Sequence, residues 1–376
     1  MKKILIFYAS YGGGHLNAAK SIKQYIDENY PEYEAELIDC MKYVNKPIER
    51  ITTAAYREMA KKIPWAWGKM YNDSQKESIM HITSKTSAFF AIKMLKLLRE
   101  KNPELVISTH PFGSQMCSYL KRKGKISVKV ATILTDFAAH DQWILGHEFI
   151  NYYFVSNEKM KKYLISKNIP ENSIFITGIP ISNRFLKIYD KKEILNTLNF
   201  SENKKTVLFF GGGAFGLGES HTVNIFRTLV QNFDNIQIIA ISGKNKKMNE
   251  IFLNIVKENH KEDEIKVLEF TDKVPELMSI SDFVVSKPGG LTTSETLASG
   301  LPIIVIDPIP GQEEENAKFL EANGAGIWIK DDESALDIFQ NIINNQVKLN
   351  EMKKNAENLA KRHSTENVCK ILLDNK

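Results

Sequence analysis

Twelve short apolar runs rich in β-branched residues alternate with helical stretches along this chain, and they fall into two series of six. No other feature restricts the fold as much. Neighbouring parallel strands need a long crossover, usually a helix, so a repeated βα rhythm predicts parallel sheets covered by helices. The first series is Ile4–Tyr8, Ala35–Ile38, Leu105–Ser108, Val128–Leu134, Tyr152–Val155 and Ile174–Ile176. Residues Gly178-Ile179-Pro180-Ile181-Ser182-Asn183 keep neither period, and a second series follows: Thr206–Phe210, Gln237–Ile241, Lys266–Glu269, Phe283–Val285, Ile303–Ile306 and Gly326–Ile329. At 376 residues the chain exceeds what one core usually fills. The expected organisation is two α/β domains, 1–183 and 184–376. The stretch from about Leu349 reads as a polar helix, and the last helix is expected to pack back on the first domain.

Composition narrows the class. The chain is 43% hydrophobic and 25% charged, and it has no uninterrupted apolar run of the ~18–20 residues that a spanning helix needs. An integral membrane protein is therefore not expected. Met1–Tyr8 reads as a first buried strand and not as a leader, because glycines and His15 interrupt the apolar stretch. Cys40, Cys117 and Cys369 are far apart, which suits a reducing cytosol better than a disulfide framework. Charge is uneven: residues 1–195 carry 30 Lys/Arg against 19 Asp/Glu, the remainder 20 against 26. A basic half attracts nucleic acid, anionic lipid or a phosphorylated ligand, and charge alone does not choose among them.

Between Tyr43 and Arg99 the βα rhythm breaks. The centre of that region, Lys61-Lys62-Ile63-Pro64-Trp65-Ala66-Trp67-Gly68-Lys69, sets paired tryptophans among lysines, as a lipid headgroup zone would favour. An ordinary helical insertion explains the same residues almost as well.

Three motifs carry chemistry. Tyr11-Gly12-Gly13-Gly14-His15 lies between the first strand and a helix, where glycines permit close approach and free amides meet an anion. His15, with an ordinary pKa of about 6.5, suits a general base. Ser286-Lys287-Pro288-Gly289-Gly290-Leu291-Thr292-Thr293-Ser294-Glu295 places a glycine turn, hydroxyls and a helix start where a diphosphate would bind, with Glu295 one turn further on to meet a ribose. Pro310-Gly311-Gln312-Glu313-Glu314-Glu315-Asn316 follows the next strand, at the carboxyl side where α/β sheets hold ligands. A dinucleotide fold competes, since Asp39 ends the second strand and Gly211-Gly212-Gly213-Ala214-Phe215-Gly216 fits GxGxxG literally. Against it, Gly12-x-Gly14-x-x-Asn17 lacks the third glycine and no acidic residue ends Gln237–Ile241.

With Thr135-Asp136-Phe137 and Thr177-Gly178-Ile179-Pro180, these motifs occur in the order seen in the processive diacylglycerol glucosyltransferases of Gram-positive bacteria, which are similar to plant monogalactosyldiacylglycerol synthases. The resemblance covers nearly the whole chain. It implies a GT-B fold, with two facing Rossmann-like domains. The activity it implies is inverting transfer of a hexose, glucose before galactose, from a UDP-sugar to diacylglycerol.

On that resemblance His15 is the candidate base or the residue that organises the reacting groups; Asp136 and His110, at the carboxyl ends of strands in the first half, could share the base role and rank behind it. Gly213, Gly289, Gly290, Thr292 and Thr293 fall to the diphosphate, Gly14 to the donor site more broadly, Glu295 to the ribose, Gln312 and Glu313 to the hexose, and Gly243 with Lys244 to the nucleotide's surroundings. Lys61, Lys62, Trp65, Trp67 and Lys69 are expected at the membrane, and His140 and Trp143 at the acceptor entrance. No Asp-x-Asp pair occurs, so neither metal nor cofactor is expected. The partners expected are the UDP-sugar, diacylglycerol and an anionic membrane surface, with no nucleic acid, and the place is the inner face of the cell membrane, held peripherally. The alternatives are another acceptor, polyprenyl-diphosphate-linked or small, and, further off, a nicotinamide-dependent oxidoreductase.

Overall fold

Every one of the twelve expected strands is present. The computed structural model describes residues 1–10, 13–44, 90–212 and 219–374, and the chain forms two compact units: 1–183 with 361–376, and 184–360.

The first unit holds β1 (Lys2–Tyr8), β2 (Tyr33–Asp39), β3 (Leu105–Ser108), β4 (Lys129–Ile133), β5 (Tyr152–Val155) and β6 (Ile174–Ile176), in the order β2-β1-β3-β4-β5-β6. All pairs are parallel, and Ile6 is in register with Leu37 on one side and Ile107 on the other. Both faces of β1 are buried. Leu5 and Phe7 enter one apolar cluster and Ile4 and Ile6 the opposite one, which is why the strand reads as an unbroken apolar run and not as an alternation.

The second unit repeats the plan with β7 (Lys205–Phe210), β8 (Ile236–Gly243), β9 (Ile265–Glu269), β10 (Phe283–Ser286), β11 (Ile303–Val305) and β12 (Gly326–Trp328), ordered β12-β11-β10-β7-β8-β9. Here Val207 and Phe209 face one cluster and Leu208 the other.

Strand order reverses once in each sheet. In the first, β2 lies on one side of β1 and β3 on the other; in the second, β8 and β10 flank β7. Connections leave in opposite directions at such a point and open a crevice at the carboxyl ends. The described candidate residues stand on the connections after β1, β3 and β4 in the first unit and after β8, β10 and β11 in the second, at and beside that point.

The C-terminal stretch departs from the single helix read from the sequence. It is two helices, Gln346–Leu359 in the second unit and Ser364–Leu373 in the first. The latter packs Val368, Cys369, Leu372 and Leu373 into the first unit's core, Thr365 Oγ1 donates to Ile181 O at 2.6 Å, and Tyr30 OH donates to Asp374 Oδ1 at 2.8 Å. No helix among the described residues is long and apolar enough to cross a membrane.

Candidate active site

His15 stands in the first turn of the helix Gly13–Asn29, just after β1, with Gly14 beside it. Its Nδ1 lies 2.7 Å from the Thr109 carbonyl, at the end of β3, and 2.9 Å from Thr135 Oγ1, at the end of β4. A carbonyl only accepts, so Nδ1 carries the proton and Nε2 keeps its lone pair. Thr109 is held in turn, its hydroxyl 2.9 Å from His15 O and 3.2 Å from Phe7 O. His15 is half-buried, and the protein around it lowers its pKa to about 4, desolvation outweighing the opposing bond to Thr109. The result is a neutral imidazole with a fixed tautomer.

His110 packs edge-on against it, ring centroids 4.8 Å apart. Its own Nδ1 accepts from Phe112 N at 3.2 Å, capping the helix Pro111–Arg122, so its neutral form carries the proton on Nε2. Burial drives its pKa well down, helped by His15 and His140. His140, 6.1 Å from the Trp143 ring, is lowered to about 4, by burial first and by His15, with Asp141 opposing. Asp136 is buried after β4, its carbonyl accepting from Ser156 Oγ. Trp143 is a core residue, 2% exposed, and its indole N–H has no hydrogen-bond partner among the described residues. It does not line an open entrance here.

In the second unit, β10 runs into Lys287-Pro288-Gly289 and then the helix Gly290–Ala298, whose start no side chain caps. Thr293 N donates to Gly289 O, which leaves the amides of Gly290, Leu291 and Thr292 outside the helical ladder, the arrangement by which a helix start can take an anion. Thr292 and Glu295, three apart, share the half-buried face. Burial raises the Glu295 pKa to about 8, and its carboxyl has no partner among the described residues. Thr293 departs from expectation: it is fully buried on the other face with Thr296 and Leu297, its hydroxyl unpartnered among the described residues. A helix turns about 100° per residue, so adjacent threonines do not both face a ligand.

After β11, Glu313 Oε2 accepts from Ile309 N at 2.8 Å, so one oxygen of this expected hexose ligand holds its own loop. Its pKa is raised by burial, against the pull of that bond and of Lys287. Gln312 begins the helix Gln312–Ala322 beside it. Asn316, fully buried on that helix, donates from Nδ2 to Pro288 O at 2.9 Å and clamps the glycine turn. Lys287 is half-buried and donates to Asp307 O at 2.8 Å. Gly212 (φ +94°) lies against it, an added Cβ standing 3.9 Å from Lys287 Cε, and Gly243 (φ +62°) lies near Gly212. Lys244 is exposed, its ammonium 5.7 Å from the Phe270 ring centre.

Gly213, Lys61, Lys62, Trp65, Trp67 and Lys69 lie outside the described residues. Asp39, the ribose residue of the oxidoreductase reading, accepts from Ser10 Oγ at 2.5 Å and Lys42 N at 3.0 Å, and so closes the turn after β2. Sequence motifs do not single out Thr109, Asp307 or His221, and Asn316 ends the Pro310–Asn316 motif without a role of its own. Thr135 and Lys287 lie inside motifs that carry chemistry, but nothing in the sequence gives either a role.

The Monogalactosyldiacylglycerol (MGDG) synthase family model matches residues 15–181, and the Glycosyltransferase family 28 C-terminal domain matches residues 206–371. A processive diacylglycerol beta-glucosyltransferase of Bacillus cereus is 30% identical over 94% of this chain and 88% of its own. That of Bacillus pumilus is 29% identical over 99% and 95%. Among solved structures, the S. aureus MnaA–UDP complex superposes with a TM-score of 0.65, covering 100% of this chain and 97% of that one at 13% identity. The fold is GT-B.

Proposed function

The chain belongs to the family of processive diacylglycerol beta-glucosyltransferases, and from that premise we propose that it moves glucose from UDP-glucose to the free hydroxyl of 1,2-diacylglycerol. The observation that carries the reading is the length of the match: relatives named for this reaction cover 94% of the chain or more, both units included.

The geometry supports roles for particular residues. His15 Nε2, its lone pair fixed by the Thr109 carbonyl, takes the proton of the attacking hydroxyl. His110 and Asp136 are set aside as bases, the first because its Nδ1 already accepts a backbone N–H, the second because its side chain is buried. Gly289, Gly290 and Thr292 hold the diphosphate through the uncapped amides, and Lys287 adds a cation where negative charge grows as UDP leaves. Glu295 meets the ribose hydroxyls. Gln312 and the remaining oxygen of Glu313 face the hexose. No cofactor is needed.

The protein works while lying peripherally on the inner face of the cell membrane. In support, the first unit exposes Tyr43 and Ile92 together with Lys42, Lys93 and Lys96, and Lys93 Nζ donates to Val44 O, which brings the two stretches together.

The test is UDP release from UDP-glucose and UDP-galactose, each with and without diacylglycerol in mixed micelles. Diacylglycerol-dependent release, faster with UDP-glucose, is expected. Nucleotide binding without release under any of these conditions would move the acceptor to a polyprenyl-diphosphate-linked or small molecule.

A further inference from the structure

His221 and Thr222 belong to the first turn of the helix Glu219–Asn232, which follows β7, and both reach the loop after β11. His221 Nδ1 lies 2.6 Å from Asp307 Oδ1, and Thr222 Oγ1 donates to Asp307 Oδ2 at 2.6 Å. Both carboxylate oxygens are therefore held. The carbonyl of the same residue accepts from Lys287 Nζ at 2.8 Å, so Asp307 ties the start of the helix Glu219–Asn232 to the connections after β10 and β11. It does so at φ +44°, in the left-handed region that a non-glycine residue keeps only where its surroundings fix it. The side chains are 21% (His221) and 13% (Asp307) exposed. A carboxylate this sheltered, bonded through its own residue to the cation of an anion site, repels a diphosphate unless it is neutralised.

We infer that His221, paired with Asp307, is a positioning residue of the donor site: as imidazolium it neutralises Asp307 and leaves the Lys287 ammonium to the diphosphate of the nucleotide sugar. This rests on the donor-site reading above. The charged groups around His221 are Asp307 from the loop after β11, Asp331 and Asp332 at the start of the helix Asp332–Ile343, and Lys287 from the connection after β10. Asp332 Oδ1 is 3.3 Å from His221 Nε2, an ion-pair distance without hydrogen-bond alignment, and Asn224 Nδ2 donates to the other Asp332 oxygen at 2.6 Å. Three carboxylates against one ammonium favour the charged ring. Its pKa is raised, the Asp307 hydrogen bond being the first cause and desolvation opposing it. Loss of that proton as pH rises leaves Asp307 uncompensated, and donor affinity falls.

The experiment is calorimetric titration of the full chain with UDP-glucose and UDP-galactose, without acceptor, from pH 6 to 9. The diphosphate diester has no proton to lose in that window. Glu295 titrates there in every variant, so the quantity read is the difference between profiles. Wild type is expected to bind about tenfold more weakly at pH 9 than at pH 6. H221Q should be weak already at pH 6 and lose most of that fall. D307N should also flatten it while binding at pH 9 at least as well as wild type, and it carries the test if H221Q folds poorly. An undiminished fall in D307N overturns the pairing and leaves the donor site standing. Failure of wild type to bind either sugar nucleotide at any pH overturns the donor-site reading and the pairing with it.

Discussion

The carboxyl ends of the two sheets share a plan and differ in their chemistry. In each unit the candidate residues stand at the carboxyl ends of the strands, at and beside the point where strand order reverses. In the first they are imidazoles, His15, His110 and His140, with backbone and hydroxyl partners such as the Thr109 carbonyl and Thr135. In the second they are acids and a lysine: Glu295, Glu313, Asp307 and Lys287. Burial removes charge in both places, with opposite consequences. Neutral His15 is left with a lone pair that accepts a proton, whereas neutral Glu295 is left with a proton it can donate to a ribose oxygen. On the function proposed above, one end moves a proton and the other holds a polar, charged ligand.

The sharpest way to break this contrast is His15→Ala. Removing a general base typically costs about 10²–10⁴-fold, so kcat for diacylglycerol glucosylation should fall within that range while calorimetric affinity for UDP-glucose stays within a factor of about two. If kcat remains within tenfold of wild type, the proton goes elsewhere, and Asp136→Asn becomes the next variant. Because the His15 pKa is about 4, the activity of the free enzyme should show no His15 break between pH 6 and 8.

Stability against pH separates the two ends without any substrate. His15 has a folded pKa of about 4, below the ordinary ~6.5, so the native state binds fewer protons. Its contribution is present above pH ~6.5 and lost as pH falls through about 4, a ceiling of roughly 3 kcal/mol that partial exposure reduces. Glu295 runs the other way. Its folded pKa of about 8 exceeds the ordinary ~4.3, so the stability it confers is complete below pH ~4.3 and lost as pH rises through about 8, a ceiling of roughly 5 kcal/mol, again discounted. Scanning calorimetry should show H15N flattening the acid side of the stability curve and E295Q the alkaline side. E295Q that leaves the alkaline side unchanged means that Glu295 is already ionised, and the contrast between the ends is then weaker than drawn.

Much of this is legible in the sequence because it is local. A strand, a glycine turn and a helix start are consecutive, so the positions of His15 and of the Gly289–Glu295 turn follow from period and punctuation. What escapes depends on contacts distant in the chain. Thr109 and Thr135 meet His15 across 94 and 120 residues, and Asp307 meets His221 across 86. No local pattern marks such partners. The break at 360–363 escapes because the polar run is helical on either side of it, and only the return of Ser364–Leu373 to the first unit's core shows why it is needed. The facing of Thr293 differs from these, since it is written in the spacing although the motif obscures it. Counting three and four from Thr293 reaches Thr296 and Leu297, both on the buried side, while counting three from Thr292 reaches Glu295.

That facing yields the smallest effect and the finest test of the donor end. The Thr293 hydroxyl is buried without a partner among the described residues, and such a group costs of order 1 kcal/mol relative to an apolar group of the same shape. Thr293→Val keeps the shape, so it should raise stability by up to about 1 kcal/mol or leave it unchanged, with UDP-glucose affinity unaltered. Thr292→Val, on the half-buried face with Glu295, should weaken binding several-fold, as loss of one hydrogen bond worth about 1 kcal/mol does. If Thr293→Val weakens UDP-glucose as much as Thr292→Val, the helix rotates when the nucleotide binds, and the donor end is less preformed than the acceptor end where His15 is already fixed.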